Sequence, residues 1–154
     1  MATRIVDKGY NRIMREMNRA WRREAAVGIL AGDKNADGAS IAEYAAYNEY
    51  GTDEEPKIPS RPFMRTAFDE NIAEIHKDFA RETGLLVTGQ KTAHQCLLTV
   101  GLKHAARIQN TITGRDFLPK LSQATIDNKK GSTKTLVDTG AMVNAVQAVV
   151  RPRT

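Results

Sequence analysis

Cysteine is almost absent from this 154-residue sequence, in which Cys96 is the single instance. One thiol excludes an internal disulfide framework and any cysteine-based zinc cluster, so packing alone must hold the fold together. Long apolar runs are absent too, because no stretch approaches the roughly 18 residues of a membrane span. The first 24 residues are too charged for a signal peptide. We therefore expect a soluble protein that folds inside the cell and has no membrane partner.

Phosphate-binding loops and catalytic constellations are also missing. Residues 88–92 (TGQKT) lack the preceding glycine and the spacing of a Walker motif. The three histidines, His76, His94 and His104, show no metal-ligand spacing such as i, i+4, which indicates surface or partly packed side chains. We therefore expect a protein that is not an enzyme and that binds no cofactor or metal.

Length and charge predict one domain with a localised basic surface. With 41% hydrophobic residues, the chain can build one modest core, so residues 1–154 should form a single domain. The net charge of +5 comes from residues 1–23, which hold seven basic and two acidic residues. This segment could contact nucleic acid or an acidic partner, although an exposed, solvated face is the commoner explanation. The candidate contact residues are Arg12, Arg15, Arg19, Arg22 and Arg23.

Hydrophobic periodicity predicts a long N-terminal helix. Ile13, Met17, Ala20 and Trp21 recur at helical spacing within the basic segment, which indicates an amphipathic helix over residues 3–24. Its apolar stripe is narrow and arginines fill the other faces, so the helix could protrude.

Capping and turn residues place the other elements. Ser40 and Glu43 form a capping box that starts a short helix stopped by Gly51, and a proline-rich loop follows at 52–60. Ser60 should cap a long third helix that ends at Gly84. The remaining predicted elements are a helix over 91–111 ended by Gly114, a helical turn over 122–128, and strands at 25–32 and near 151. The expected α+β fold has a long N-terminal helix, two central packed helices and a small antiparallel β-sheet.

Asp138, Thr139 and Gly140 form the tripeptide that carries the catalytic carboxylate of aspartic proteases. Those enzymes bring two such loops together, because two carboxylates must share one proton across a water molecule. Each loop also lies between strands, whereas here the upstream region is helical and fourteen residues follow Gly140. The alternative is that Asp138 or Thr139 caps a short helix in GAMVNAV (140–146), which needs only local geometry.

The segment DKNADG matches the start of a calcium-binding EF-hand loop. Asp33, Asn35, Asp37 and Gly38 occupy its first, third, fifth and sixth positions. Position twelve is Tyr44 instead of the bidentate glutamate that closes such a loop. Aspartate, asparagine and glycine also dominate ordinary turns, so we assign no metal.

Two sequence blocks carry a more specific pattern. In residues 41–71, A-x-x-N-E-Y-G-T is followed after a loop by I-P-x-R-P-F-M-R, and in residues 121–146, L-x-x-x-T-I is followed by K-x-L-V-D-T-G-x-M. Their order and combination resemble small virion-morphogenesis proteins of Mu-like and lambdoid tailed bacteriophages, the tail-completion and head–tail joining (neck) components. The blocks cover a little over a third of the chain, while the basic N-terminal helix and residues 74–114 match in character only.

This resemblance implies a non-enzymatic α+β structural protein of a tailed phage or prophage, located in the virion and, during assembly, in the host cytoplasm. It implies tail completion or head–tail joining beside other virion proteins, such as a neck or connector, tail-tube or tail-terminator subunit. Such positions are built from rings of identical subunits, so we expect a homo-oligomeric ring, sixfold in the particle. In that family the Asp-Thr-Gly tripeptide is structural. The alternative is a DNA-binding or packaging accessory protein that uses the basic helix, and weak DNA contact is compatible with both.

Residues of the first block also have a structural interpretation. The prolines stiffen the loop, which therefore loses less entropy on docking, and Pro59 and Pro62 direct the chain into the third helix, with Pro62 in its first turn. Phe63 either fills the core beneath that helix or, with Arg61, anchors a protein interface. A helix end whose polar side chains tie down the loop is expected at Asn48, Glu49 and Gly51.

The loop supplies an acidic counterpart to the basic helix through Asp53, Glu54 and Glu55. Closed rings form when one patch of a subunit meets a different patch on the next. Opposite charges on the two patches could steer neighbouring copies into register. The competing expectation is that both segments are simply solvated.

Overall fold

The computed structural model describes residues 7–30, 32, 38–55, 57–121, 123–128, 134–137 and 140–153. The elements of these ranges are α1 (Tyr10–Trp21), β1 (Arg23–Ile29), α2 (Ile41–Tyr50), α3 (Phe63–Thr88), α4 (Ala93–Gly114), α5 (Gln123–Asn128), α6 (Ala141–Asn144) and β2 (Val146–Pro152). The predicted α+β fold, with two central helices and a small antiparallel sheet, is confirmed. Within the described ranges, no helix combines the length and the hydrophobicity needed to cross a membrane.

Helix α4 lies at the centre of the fold. It packs against α3 on one side and against both strands on another, and the N-terminal end of α4 also contacts α1. Gly101 makes the close approach to the sheet possible, since a Cβ at this position would lie 3.1 Å from the Cβ of Ala148 and 3.4 Å from that of Ala25. A larger residue would push the sheet away from the helix.

The sheet joins two distant parts of the sequence. Strands β1 and β2 run antiparallel, with Arg23 opposite Pro152 and Ile29 opposite Val146. Ala25 and Val27 of β1 and Ala148 of β2 face Gly101 of α4. The segment Val146–Pro152 is rich in valine, which favours an extended backbone on a half-buried surface.

The main core collects side chains from α2, α3, α4, α6 and the segments around them. Its largest fully buried side chains are Phe63, Ile108 and Ile112. The other buried members are Ile41, Ala45, Ala67, Ala105, Phe117, Leu136, Met142, Ala145 and Val146. A smaller cluster of Leu86, Ala93 and Cys96 lies at the α3–α4 turn, with Ala20 of α1 packed against it. The fold is therefore held by one core and by a separate apolar contact at the far end of α3.

The predicted bounds of α1 and α3 differ from those observed. Helix α1 ends at Trp21 because strand β1 starts at Arg23, so the predicted extension to residue 24 is wrong. Gly84 does not end α3, since the helix continues to Thr88 and stops at Gly89, which has a left-handed φ of 83°. The Gly89 N–H donates to the Leu86 carbonyl, and the next two amides, those of Gln90 and Lys91, donate to the Leu85 carbonyl. This pattern is expected of a helix that ends in a left-handed glycine.

The predicted start of α2 is confirmed, whereas that of α3 is wrong. The Ser40 hydroxyl accepts a 3.3 Å hydrogen bond from the Glu43 amide. The Glu43 carboxylate accepts from the Tyr47 hydroxyl instead of the Ser40 amide, so Ser40 is the N-cap but the predicted capping box is not completed. Ser60 does not cap α3, because its hydroxyl donates to the Glu49 carbonyl at 2.8 Å. The N-cap position belongs to Pro62, so this proline precedes the first turn instead of lying in it.

Candidate functional site

A carboxylate from α2 caps the N-terminus of α3. Glu49 is 5% exposed, and its two oxygens accept hydrogen bonds from the amides of Met64 at 2.9 Å and Arg65 at 3.1 Å. The first amides of a helix have no partner within the helix, and the helix dipole favours a negative charge there. Glu49 therefore replaces the missing side-chain cap of α3 and joins the two helices.

Two hydrogen bonds close the proline-rich loop on itself directly after α2. The Thr52 amide donates to the Ile58 carbonyl, and the Ile58 amide donates to the Thr52 hydroxyl, both at 2.9 Å. Gly51 precedes them with a φ of 78°, and a Cβ there would lie 2.9 Å from the Ile58 oxygen and the Ser60 nitrogen. Only glycine fits this position without displacing the loop.

Asn48, Arg61 and Phe63 are buried below the same loop. The Asn48 carbonyl accepts from the Arg61 amide at 2.6 Å, and the Asn48 side chain donates to the Tyr44 carbonyl. Arg61 Nη2 donates to the Pro119 carbonyl at 3.3 Å, and burial lowers the pKa of the guanidinium. Phe63 is 0% exposed. Of the two alternatives for Phe63, the core position is the one observed, and neither Phe63 nor Arg61 is available as a surface anchor in this structure.

Helix α1 docks on the α3–α4 turn through charged side chains. Arg12 donates to the carbonyls of Leu86 and Val87 at 3.0 and 2.6 Å, where α3 ends. Glu16 accepts from the Ala93 amide at 2.9 Å, where α4 begins. That hydrogen bond holds the pKa of Glu16 below its ordinary value, with the neighbouring Arg19 acting in the same direction against burial. The Arg12 cation therefore faces the partially negative C-terminus of α3, and the Glu16 anion faces the partially positive N-terminus of α4.

This docking leaves the larger apolar side chains of α1 on the outside. Tyr10, Met14, Met17 and Trp21 are 67%, 40%, 51% and 75% exposed. Their spacing of four, three and four residues places them on one face of the helix, and we call them the apolar stripe. The sequence grouped Met17 and Trp21 with Ile13 and Ala20, but only Ile13 and Ala20 are half-buried. Signals for the docking residues Arg12 and Glu16 were absent, because they depend on contacts with a distant helix pair.

The predicted basic contact residues have different surroundings. Arg12 is bound to carbonyls, Arg19 pairs with Glu16, and Arg23 Nη1 lies 3.4 Å from His94 Nδ1. Arg15 and Arg22 are exposed. The basic residues therefore do not form one continuous free surface.

The predicted acidic residues surround a concavity beside α2. Asp53, Glu54 and Glu55 are exposed and, together with Tyr47 and Ile58, line a space of about 580 Å³ that we call the tyrosine groove. The neighbouring Tyr44 and Tyr50 of α2 are 43% and 72% exposed. This groove therefore combines three carboxylates with exposed aromatic surface.

An ion-pair cluster that the sequence analysis missed links α3 to α4. Asp78 accepts from Lys103 and Arg107, both at 2.5 Å, and Lys103 is the main cause of its lowered pKa, with Arg107 adding to it against burial. Glu82 pairs with Lys91 at 2.6 Å. Beside this cluster, His104 packs edge-on against Phe68, and burial lowers its pKa. These charges hold the two helices in register.

The remaining candidate residues carry no site chemistry in the part described. Cys96 is buried, its thiol donates to the Glu82 carbonyl at 3.2 Å, and burial raises its pKa. No group of three or more potential metal ligands occurs among the described residues. Gly140, with a φ of 79°, is the N-cap of α6. Asp138 and Thr139, proposed as the cap, and the EF-hand-like residues 33–37 lie outside the described residues.

Comparisons of the chain with protein-family models, with curated proteins and with solved structures find no match. The phage-protein assignment therefore stays a prediction from the two sequence blocks.

Proposed function

We propose that this chain is a non-enzymatic structural protein of a tailed bacteriophage or prophage that acts in tail completion or head–tail joining. The observation that carries the assembly role is the apolar stripe. Four large apolar side chains on one face of a docked helix form a surface that isolated monomers rarely expose and that interfaces use. The virion setting is supported by the resemblance of the two sequence blocks.

The positions of the two blocks in the fold also support this proposal. Ile41, Ala45 and Phe63 of the first block share one core with Leu136 and Met142 of the second. Glu49 and Gly51 of the first block hold a helix end and a loop, so the motif residues build a scaffold. Motif residues that specify a scaffold fit a subunit that acts through contact with other proteins.

Under this proposal the protein belongs to the virion. Its partners would be other virion proteins at the neck or tail end, such as a connector, tail-tube or tail-terminator subunit, and a sixfold ring of identical copies is expected in the particle. Rings of this kind need two different patches on each subunit. We propose the apolar stripe and the tyrosine groove as these two patches.

Deletion of the gene from the phage or prophage that carries it tests this function. Electron microscopy should show separate filled heads and tails, and a plasmid copy of the gene should restore joined particles. A plasmid copy with Met14→Asp and Met17→Asp should fail to restore them, whereas Leu102→Asp, at a 53% exposed residue of α4, should succeed. Normal virions from the deletion strain would contradict the proposal.

The alternative is a DNA-binding or packaging accessory protein. The exposed residues Arg15 and Arg22 favour it, but Arg12 and Arg19 are engaged within the protein, and the outer face of α1 is apolar. Neutralising several phosphates gives a steep fall of affinity with salt. We expect no retention of the protein on random DNA at low salt, and salt-sensitive retention would favour the alternative.

A further inference from the structure

The apolar stripe and the tyrosine groove have complementary chemistry. The stripe presents methionine, tyrosine and tryptophan, with Arg15 exposed on the same helix and Arg22 exposed directly after it. The groove presents the aromatic surface of Tyr47 beside Asp53, Glu54 and Glu55. Tyrosine, tryptophan, methionine and arginine are the residues enriched at interface cores, and arginine stacks on aromatic rings.

The two surfaces cannot meet within one molecule. The stripe is fixed at the Leu86 end of α3 by the Arg12 hydrogen bonds, while the groove adjoins the Met64 end through the Glu49 cap. At a rise of about 1.5 Å per residue, Met64 and Leu86 are about 33 Å apart along the helix. Contact between the stripe and the groove therefore requires two copies of the chain.

We propose that the apolar stripe of one copy docks into the tyrosine groove of a second copy, with arginines of α1 against the acidic rim of Asp53, Glu54 and Glu55. The contact is head-to-tail, because different patches meet: the first copy keeps its groove free and the second keeps its stripe free. Successive contacts close into a ring when the rotation permits. This inference rests on the proposed assembly function and names the partner of the stripe.

The arrangement also determines the strength and salt dependence of the contact. The stripe is one face of a twelve-residue helix. The area that such a face can bury is small compared with the roughly 800 Å² per partner that stable complexes bury. The exposed charges are screened by salt over a Debye length of about 10 Å at 0.1 M. Purified protein should therefore associate weakly and reversibly, and less at high salt.

Trp21 is the only tryptophan of the chain and lies in the stripe, so its fluorescence reports on docking. The guanidinium of Arg153 stacks on its ring at 5.1 Å, but the side chain is 75% exposed. With rising protein concentration, Trp21 emission should move to shorter wavelength while sedimentation velocity shows larger species. A sedimentation profile that stays monomeric at every accessible concentration overturns the proposal.

Two variants separate the two patches. The stripe variant carries Met14→Asp and Met17→Asp, and the groove variant carries lysine in place of Asp53, Glu54 and Glu55. Each should weaken self-association about ten-fold or more. All five positions are exposed, and circular dichroism checks that both variants fold. If the stripe variant unfolds, it is replaced by Arg15→Glu on α1 combined with Arg22→Glu at the residue that follows the helix, both at exposed positions.

Mixing the two variants distinguishes a head-to-tail contact from a symmetric one. The stripe variant keeps an intact groove and the groove variant an intact stripe, so an equimolar mixture should form a dimer that cannot grow. Self-association of the groove variant at the wild-type level would show that stripe meets stripe, and a mixture that stays monomeric would show no stripe–groove contact. Either result overturns the proposal. Leu102→Asp, outside both patches, should associate as the wild type does.

The association experiment and the gene-deletion experiment can fail separately. Purified variants report on the contact between copies with no phage present. If deletion abolishes joined particles but the purified variants show no stripe–groove contact, the proposed function stands and this inference is rejected. Normal virions on deletion, together with dimerisation of the mixed variants, would retain the contact and reject the virion role.

Discussion

Replacement of Glu49 by alanine should lower the free energy of unfolding by about 3 kcal/mol. Hydrogen bonds to a charged group each contribute about 1.5–3 kcal/mol, and a buried amide left without a partner costs about 1–3 kcal/mol. The Glu49 carboxylate accepts hydrogen bonds from the amides of Met64 and Arg65. Because one carboxylate is shared between them, the two bonds should stabilise the fold by less than two independent bonds would. For a domain of this size, about 3 kcal/mol corresponds to a fall in Tm of roughly 10 °C.

Urea denaturation of matched variants measures this effect. Glu49→Gln keeps the side-chain shape and one acceptor oxygen, so it should lose about 1–2 kcal/mol. Glu74→Ala on α3 removes a carboxylate that is 55% exposed and paired with Lys77, and it should change stability by less than about 0.5 kcal/mol. Hydrogen exchange at Met64 and Arg65 should accelerate in Glu49→Ala. Equal stability of Glu49→Ala and Glu74→Ala would refute the cap.

Three further predictions concern acid, glycine and Asp138. The hydrogen bond from Ala93 keeps the pKa of Glu16 below its ordinary 4.5. Docking of α1 should therefore be fully stabilised above about pH 4.5 and should weaken as pH falls through the lowered folded-state pKa. Hydrogen exchange of the α1 amides should measure this opening, and Glu16→Gln should remove the pH dependence of the exchange. Gly51→Ala should lower the free energy of unfolding by about 2–3 kcal/mol, because Gly51 has a positive φ and the added Cβ would make 2.9 Å contacts. Gly84→Ala, where the added Cβ meets open space within α3, should raise it by about 0.5–1 kcal/mol. Thermal denaturation measures both changes. Under the proposed function, Asp138→Asn should leave phage assembly intact, because the resemblance of the two sequence blocks implies a structural role for the tripeptide. Loss of assembly in the Asn variant at unchanged Tm would restore the protease hypothesis.

Local signals predicted the elements of this fold better than their ends. The Ser40 cap and the valine-rich strand Val146–Pro152 depend on neighbouring residues, and both are observed. The α3 cap was missed because Glu49 lies fifteen residues before Met64 and belongs to another helix. Gly84 was misinterpreted as a stop, because its backbone stays helical, whereas the backbone turns left-handed at Gly89 and ends the helix there.

The candidate surfaces were only partly predictable for the same reason. Charge alone marked the basic helix and the acidic loop. The face that α1 turns outward depends on Arg12 and Glu16, whose partners are backbone groups at the ends of α3 and α4. Almost any residue type can supply a backbone carbonyl or amide, so the sequence does not show where such partners lie. Sequence periodicity therefore could not separate the docked face of α1 from the exposed one.

The sheet also determines when this chain can finish folding during synthesis. Helices α3 and α4 are neighbours in sequence and can pair as soon as both have left the ribosome, since local contacts close at small entropic cost. Strand β1 ends at Ile29, whereas its partner begins at Val146, so β1 must wait until α3, α4 and the segment after them have been synthesised. An unpaired strand edge pairs readily with other chains. Nascent chains stalled before β2 should therefore aggregate through β1, and the speed of late elongation should influence the yield of native subunit.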